Sequence, residues 1–143
     1  MMARYNHLKI YKDSFACFID YNRIFPNLSK KHKYSLGVQI QNLLLENFRL
    51  IIKINRFEII TKKMDLIEEL IVNCEQILIL FRSLSFLKEI SKNYYLDISS
   101  KLLEIIKQAE GWFKYNKNLL LSRGGGQKDL ICLLSNFSIP EFI

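Results

Sequence analysis

The chain has 143 residues, room for one domain and hardly for two, and half of them are hydrophobic, enough for a real core. Its 21 basic and 14 acidic residues leave a formal net charge of +7, which favours a polyanionic partner (nucleic acid, an anionic membrane or an acidic protein) without choosing among them. Three separated cysteines, Cys17, Cys74 and Cys132, none near a histidine, make neither a disulfide framework nor a zinc site. No apolar run reaches the roughly 18 residues that span a bilayer. Arg4, Lys9, Lys12 and Asp13 interrupt the N-terminus where a signal peptide needs apolar residues, so a cytoplasmic protein with reduced thiols and no membrane partner is expected.

Prolines occur only at Pro26 and Pro140, so helices can run long between them. The first predicted helix covers about Leu8 to Phe25, with Tyr11, Phe15, Phe18, Ile19, Tyr21 and Phe25 as its apolar face, and Pro26 stops it. Asn27 or Ser29 is placed to cap a second helix from about Lys30 or His32 to Arg56, with Leu36, Ile40, Leu43, Leu44, Asn47, Leu50, Ile51 and Ile54 spaced by threes and fours. Gly37 inside it is unfavourable for a helix by roughly 1 kcal/mol against alanine, which predicts close approach of a neighbour. A third helix, about Phe57 to Ser85, carries two adjacent stripes, one through Ile60, Met64, Ile67, Ile71, Cys74, Leu78 and Phe81 and one through Leu66, Leu70, Ile77, Leu80 and Leu84. Two stripes predict more than one neighbour, with apolar surface to spare for a subunit interface. A fourth helix runs to about Leu121 on Ile98, Leu102, Ile105, Ala109 and Trp112. Short links predict an all-α, antiparallel, up-down-up-down four-helix bundle over residues 1–121, followed by a Gly-rich break and apolar tail at 122–143.

Chemistry is scarce. His7 lies before the first predicted helix and His32 in the first link, so the Glu-x-x-His pairs of a di-metal bundle are absent and no metal or cofactor is expected. Glu68, Glu69 and Glu75 are expected as solvated carboxylates pairing with lysines. No serine or cysteine has a histidine placed by a recognisable motif to activate it, so no catalytic residue is assigned. Gly125-Gly126-Gln127 matches the tripeptide of peptide-chain release factors, but the surrounding helices do not suit that domain. What remains is a basic surface: Arg23 with Lys30, Lys31 and Lys33 around the first link, Arg49, Lys53 and Arg56 on the second helix, and Lys107, Lys114 and Lys117 on the fourth. Such side chains reach phosphates from a helix and release counterions, and Tyr34, Tyr94, Tyr95 and Tyr115 are candidates to stack on bases.

The segments LKIYKDSF at 8–15, FPNLSKKHKYSLGVQI at 25–40, the apolar helix from Leu43 to Ile54 and EGWFKYNK at 110–117 resemble the accessory variability determinant (Avd) proteins of diversity-generating retroelements. These belong to a wider group of four-helix-bundle proteins that includes those encoded in ribosomal RNA intervening sequences. The stretch QIQNLLLENFRLIIKINRF lacks the Glu-Gly element typical of the intervening-sequence relatives, which favours the retroelement branch. The tail at 122–143 is a departure from the family pattern. The resemblance implies a non-enzymatic, ring-forming homopentamer that binds template RNA or cDNA and the element's reverse transcriptase. The alternative is an intervening-sequence-type interaction bundle with no reverse transcriptase partner.

Overall fold

The computed structural model describes residues 8–123. They form α1 (Lys9–Ile24), a 3-10 turn (Phe25–Asn27), α2 (Lys30–His32), a π-helical turn (Lys33–Gly37), α3 (Val38–Arg56), α4 (Ile60–Phe86) and α5 (Lys92–Ser122). No strand occurs among the described residues. Because α2, the π turn and α3 follow one another without a break, four helical rods pack together. α1 lies against α3 and α5, and α4 lies against the same two. Cys132, Gln127, Pro140, His7 and the tail from 124 onward lie outside the described residues.

The rods follow their apolar spacing. Ile40, Leu44, Leu50, Ile51 and Ile54 of α3 are buried, as are Ile98, Leu102, Ile105 and Ala109 of α5. Most of both α4 stripes is consumed by this core: Met64, Ile67, Ile71, Cys74 and Phe81 are buried, and so are Leu66, Leu70, Ile77 and Leu84, while Leu78 and Leu80 pack half-buried against it and Ile60 is half-buried at the helix start. The expected surplus for an interface therefore does not come from the doubled stripe. The apolar residues α4 exposes are Val72, Ile79 and Phe86, seven residues apart on a different side.

α1 departs from expectation in the angle of its buried face. The core takes Ile10, Ser14, Cys17 and Tyr21, while Phe15 remains 46% exposed. Adjacent helical residues differ by about 100°, so the aromatic stripe is turned one step away and covers the seam with α3. Small Ser14 and Cys17 let α1 sit close to a centre already filled by aliphatic side chains.

Gly37 has the packing reason its position predicts, supplied by side chains of α1 and the link. A Cβ there would lie 3.1 Å from Leu28 Cδ1, 3.1 Å from Phe25 Cε1 and 3.3 Å from the Tyr21 hydroxyl. That hydroxyl donates to the Gly37 carbonyl at 2.9 Å. The π turn ending at Gly37 inserts an extra residue into the rod, with the Val38 N–H reaching back to the carbonyls of Lys33 and Ser35.

Candidate nucleic-acid interface

The first link is built around an unexpected cap. Ser29 has the extended conformation of an N-cap, yet its hydroxyl makes no capping bond to the helix it precedes. Its hydroxyl instead donates to Glu89 Oε2 at 2.7 Å, and its N–H donates to Glu89 Oε1 at 2.9 Å. His32 Nδ1 lies 2.8 Å from the same Oε2 and donates to it, since an ionised carboxylate only accepts. Together the Ser29 hydroxyl, the Ser29 N–H and His32 pull the Glu89 carboxyl down to about 2.

Glu89 reaches this place through the end of α4. Lys88 takes a left-handed conformation (φ 63), with its N–H on the Ser85 carbonyl at 3.0 Å and the Glu89 N–H on the Leu84 carbonyl at 2.9 Å. This is a Schellman stop with lysine where glycine is usual. It turns the chain so that a carboxylate from the α4–α5 link meets the start of α2, 60 residues earlier.

On this anchored start Lys30 and Lys31 are exposed, and Tyr34 follows at 68% exposure. Arg23 is exposed in the last turn of α1. Lys33 is half-buried, its Nζ 5.7 Å from the centre of the Phe25 ring in a cation–π contact. The first turn of α2 contains no acidic residue, so the lysines stand where the helix dipole disfavours cations and Glu89 supplies the offsetting charge.

The α3 residues fare differently. The Arg49 Nε–H donates to Glu46 Oε1 at 2.9 Å, which lowers the Glu46 carboxyl. Lys53 is half-buried and adds its charge to Glu46; Arg56 is exposed in the last turn. Beside them, Glu46, Asp65, Glu68 and Glu69 line one groove between α3 and α4. Burial, then Asp65 and Glu69, push the Glu68 carboxyl up, and burial, then Glu110, do the same for Glu75. The expected lysine partners for Glu68, Glu69 and Glu75 do not materialise among the described residues: Glu68 stands with Asp65 and Glu69, and Glu75 faces Glu110 of α5. An acidic groove next to Arg49 repels phosphate, and Glu46 already occupies that guanidinium.

Lys107 and Lys114 are exposed on α5, with Lys117 partly so, and Tyr115 beside them is 61% exposed. α5 packs on α1 and α4, so these lysines do not join the α3 set. The sequence-predicted cations thus fall into separate groups, of which the link group holds Lys30 and Lys31, adjacent, exposed and in no ion pair among the described residues. Tyr94 and Tyr95 are half-buried against the core, Tyr94 with its ring 6.3 Å from that of Phe81, and Tyr95 also lines a surface groove with Lys88 and Lys92. Burial raises the Tyr94 hydroxyl and pushes the Cys17 and Cys74 thiols up to about 12, leaving them protonated and unreactive. Sequence spacing put Phe15 on the apolar face of the first helix; its ring is instead exposed, in a cluster with Tyr11, Phe18 and Phe48.

Among the described residues no group of three or more His, Cys, Asp or Glu side chains is placed to hold a metal ion, and no helix is long and apolar enough to cross a membrane. No family model, curated protein or solved structure matches the chain.

Proposed function

We propose that the chain is a non-enzymatic accessory subunit of a diversity-generating retroelement, binding template RNA or cDNA and the reverse transcriptase during mutagenic cDNA synthesis. The observation that carries this reading is the double use of residues 25–37. Phe25, Leu28 and Gly37, from the FPNLSKKHKYSLGVQI segment that carries the resemblance, lock together with Tyr21 on the inside. Lys30, Lys31 and Tyr34 of the same segment stand outside, where they can meet a phosphate backbone and a base. Lysines at a helix start violate the local electrostatic rule, and such violations collect at functional sites.

The finer architecture in this reading is the up-down-up-down antiparallel course. Three residues separate α3 from α4 and five separate α4 from α5, too few for a crossover. Pairs such as Asn47 with Asn73, Asp13 with Gln108 and Asp20 with Lys101 match residues at opposite positions along adjoining rods. Assembly into a cytoplasmic homopentameric ring would multiply the +7 charge of each copy and favour sequence-tolerant polyanion binding.

The reading is tested by titrating the purified chain with single-stranded RNA over a range of salt. Lys30→Glu with Lys31→Glu is expected to weaken binding and to flatten the log–log salt dependence by about 1.4, two contacts at roughly 0.7 each for a single strand. Arg49→Glu is expected to change binding less, because Glu46 already neutralises that side chain. A wild-type chain that ignores RNA in dilute salt sinks the proposal. A reverse transcriptase gene and an adenine-mutated repeat pair beside this gene are the expected genomic context.

A further inference from the structure

The seam between α1 and α3 presents aromatic surface within a region of one charge sign. On α1, Lys12, Phe15, Ile19 and Arg23 are spaced three, four and four apart and so share one stripe, with Lys12, Phe15 and Arg23 exposed and Ile19 half-buried. On α3, Leu45, Phe48 and Ile52 make the facing stripe, with Leu45 49% exposed. The stripes meet ring to ring: Phe15 lies 6.3 Å from Phe48, and Tyr11 stacks on Phe15 at 6.2 Å with 22° between their planes. Phe18 closes the cluster from below, 5.5 Å from Phe48 and nearly perpendicular to it. Phe15 therefore rests against two rings that also touch each other, Tyr11 and Phe48 being 5.8 Å apart, while 46% of its surface stays in water.

The carboxylates of both helices turn away from this seam. Asp13 accepts from Gln108 of α5, and Asp20 pairs with Lys101 of α5. Glu46, the one acidic residue of α3, lines the groove against α4. The seam keeps Lys12 and Arg23, neither of which enters an ion pair among the described residues. A protein ligand for a greasy patch would gain little from cations at its edges without acids of its own. A nucleic-acid strand supplies phosphates for the cations and flat bases for the ring.

Resting on the nucleic-acid reading above, we infer that the α1–α3 seam is a base-stacking platform for single-stranded nucleic acid, with Phe15 as the stacking ring and Lys12 and Arg23 on the flanking phosphates. Duplexes hide their base faces, so the platform discriminates strands from helices, while the lysines of the first link do not. The two basic surfaces then have separate roles: Lys30 and Lys31 attract any polyanion, and Phe15 selects the unpaired one. Discrimination of this kind suits a protein that handles template ahead of copying.

The test compares an oligo-dU strand with a duplex of the same length by fluorescence anisotropy in dilute salt. Phe15→Leu keeps the apolar packing and removes the ring; it is expected to weaken single-strand binding about tenfold and to leave duplex binding unchanged. Phe15→Trp is expected to keep strand affinity, with its emission quenched on stacking over the background of Trp112. If Phe15→Leu binds the strand as the wild type does, or loses strand and duplex equally, the platform is refuted while general nucleic-acid binding stands. If Phe15→Leu changes the oligomeric mass and not the strand affinity, the seam is a contact between protein copies and the inference fails. If the wild type binds neither probe, the functional reading itself falls and takes the platform with it.

Discussion

The Tyr21 hydroxyl donates to the Gly37 carbonyl at 2.9 Å, tying the last full turn of α1 to the π turn that opens α3. The Tyr21 ring is completely buried and meets Phe81 edge-on at 5.3 Å, so its packing survives loss of the oxygen. Tyr21→Phe is expected to lower stability by about 1–2 kcal/mol, the usual effect of stranding a buried hydrogen-bond group. Thermal unfolding followed by circular dichroism measures it. An unchanged midpoint would show that the Gly37 carbonyl is satisfied without Tyr21.

The Glu89 clamp predicts a defined acid limb. Its carboxyl is lowered from 4.5 to about 2 by the Ser29 hydroxyl, the Ser29 N–H and His32. A carboxyl depressed on folding contributes stability that is present above its unfolded value near 4.5 and disappears as pH falls toward 2. Glu89→Gln is expected to cost about 1 kcal/mol at neutral pH, a capping-sized loss after solvent screening. The difference between wild type and variant should shrink steadily from pH 5 to pH 2. Denaturant melts at a series of pH values check this; a gap that stays constant across that window would contradict the clamp.

The helices were legible because spacing and breakers agree. Pro26 ends α1, and the four-three stripes of α3, α4 and α5 become buried faces. The face of α1 was not legible, since Tyr11, Phe15 and Phe18 keep helical spacing as well as Ile10, Ser14, Cys17 and Tyr21 do. Periodicity fixes a stripe but not which of two neighbouring stripes points inward, and here side-chain size near a crowded centre decides. The site was half legible for the same kind of reason. Glu46 at three residues from Arg49 is a local pair that spacing alone reveals, and it removes Arg49 from the free cations. Glu89 is 60 residues from Ser29, and only the turn at Lys88 brings them together.

Lys88 offers a gain in stability. Its φ of 63 lies in the left-handed region, which costs an L-residue roughly 1–2 kcal/mol and glycine almost nothing. The Schellman bonds through the Lys88 and Glu89 N–H groups do not involve its side chain. Lys88→Gly is therefore expected to stabilise by about 0.5–1 kcal/mol, the strain relieved less the entropy glycine loses on folding. A differential scanning experiment on the variant should show a higher midpoint; a fall would mean that the lysine stem packs usefully on the link.

Asn47 and Asn73 form a polar bridge inside the core between α3 and α4. The Asn73 Nδ2–H₂ donates to Asn47 Oδ1 and to the Leu43 carbonyl, each at 2.7 Å, and Asn47 in turn faces the Cys74 sulfur at 3.6 Å. Asn47 is fully buried and Asn73 nearly so, so water replaces a lost partner poorly. Asn73→Leu alone should cost about 1–3 kcal/mol, because the desolvated Asn47 oxygen is left with only the weak Cys74 thiol donor at 3.8 Å. Replacing both asparagines by leucine removes the stranded group, so the double variant is expected to recover most of that loss or to exceed wild type. The pair would then be retained to hold the register of α3 on α4, a role that buried polar groups fill at the expense of stability. Denaturant melts of the two single variants and the double variant give the coupling directly. Additive losses would show that the asparagines act independently, and a double variant that melts without cooperativity would confirm that they specify the packing.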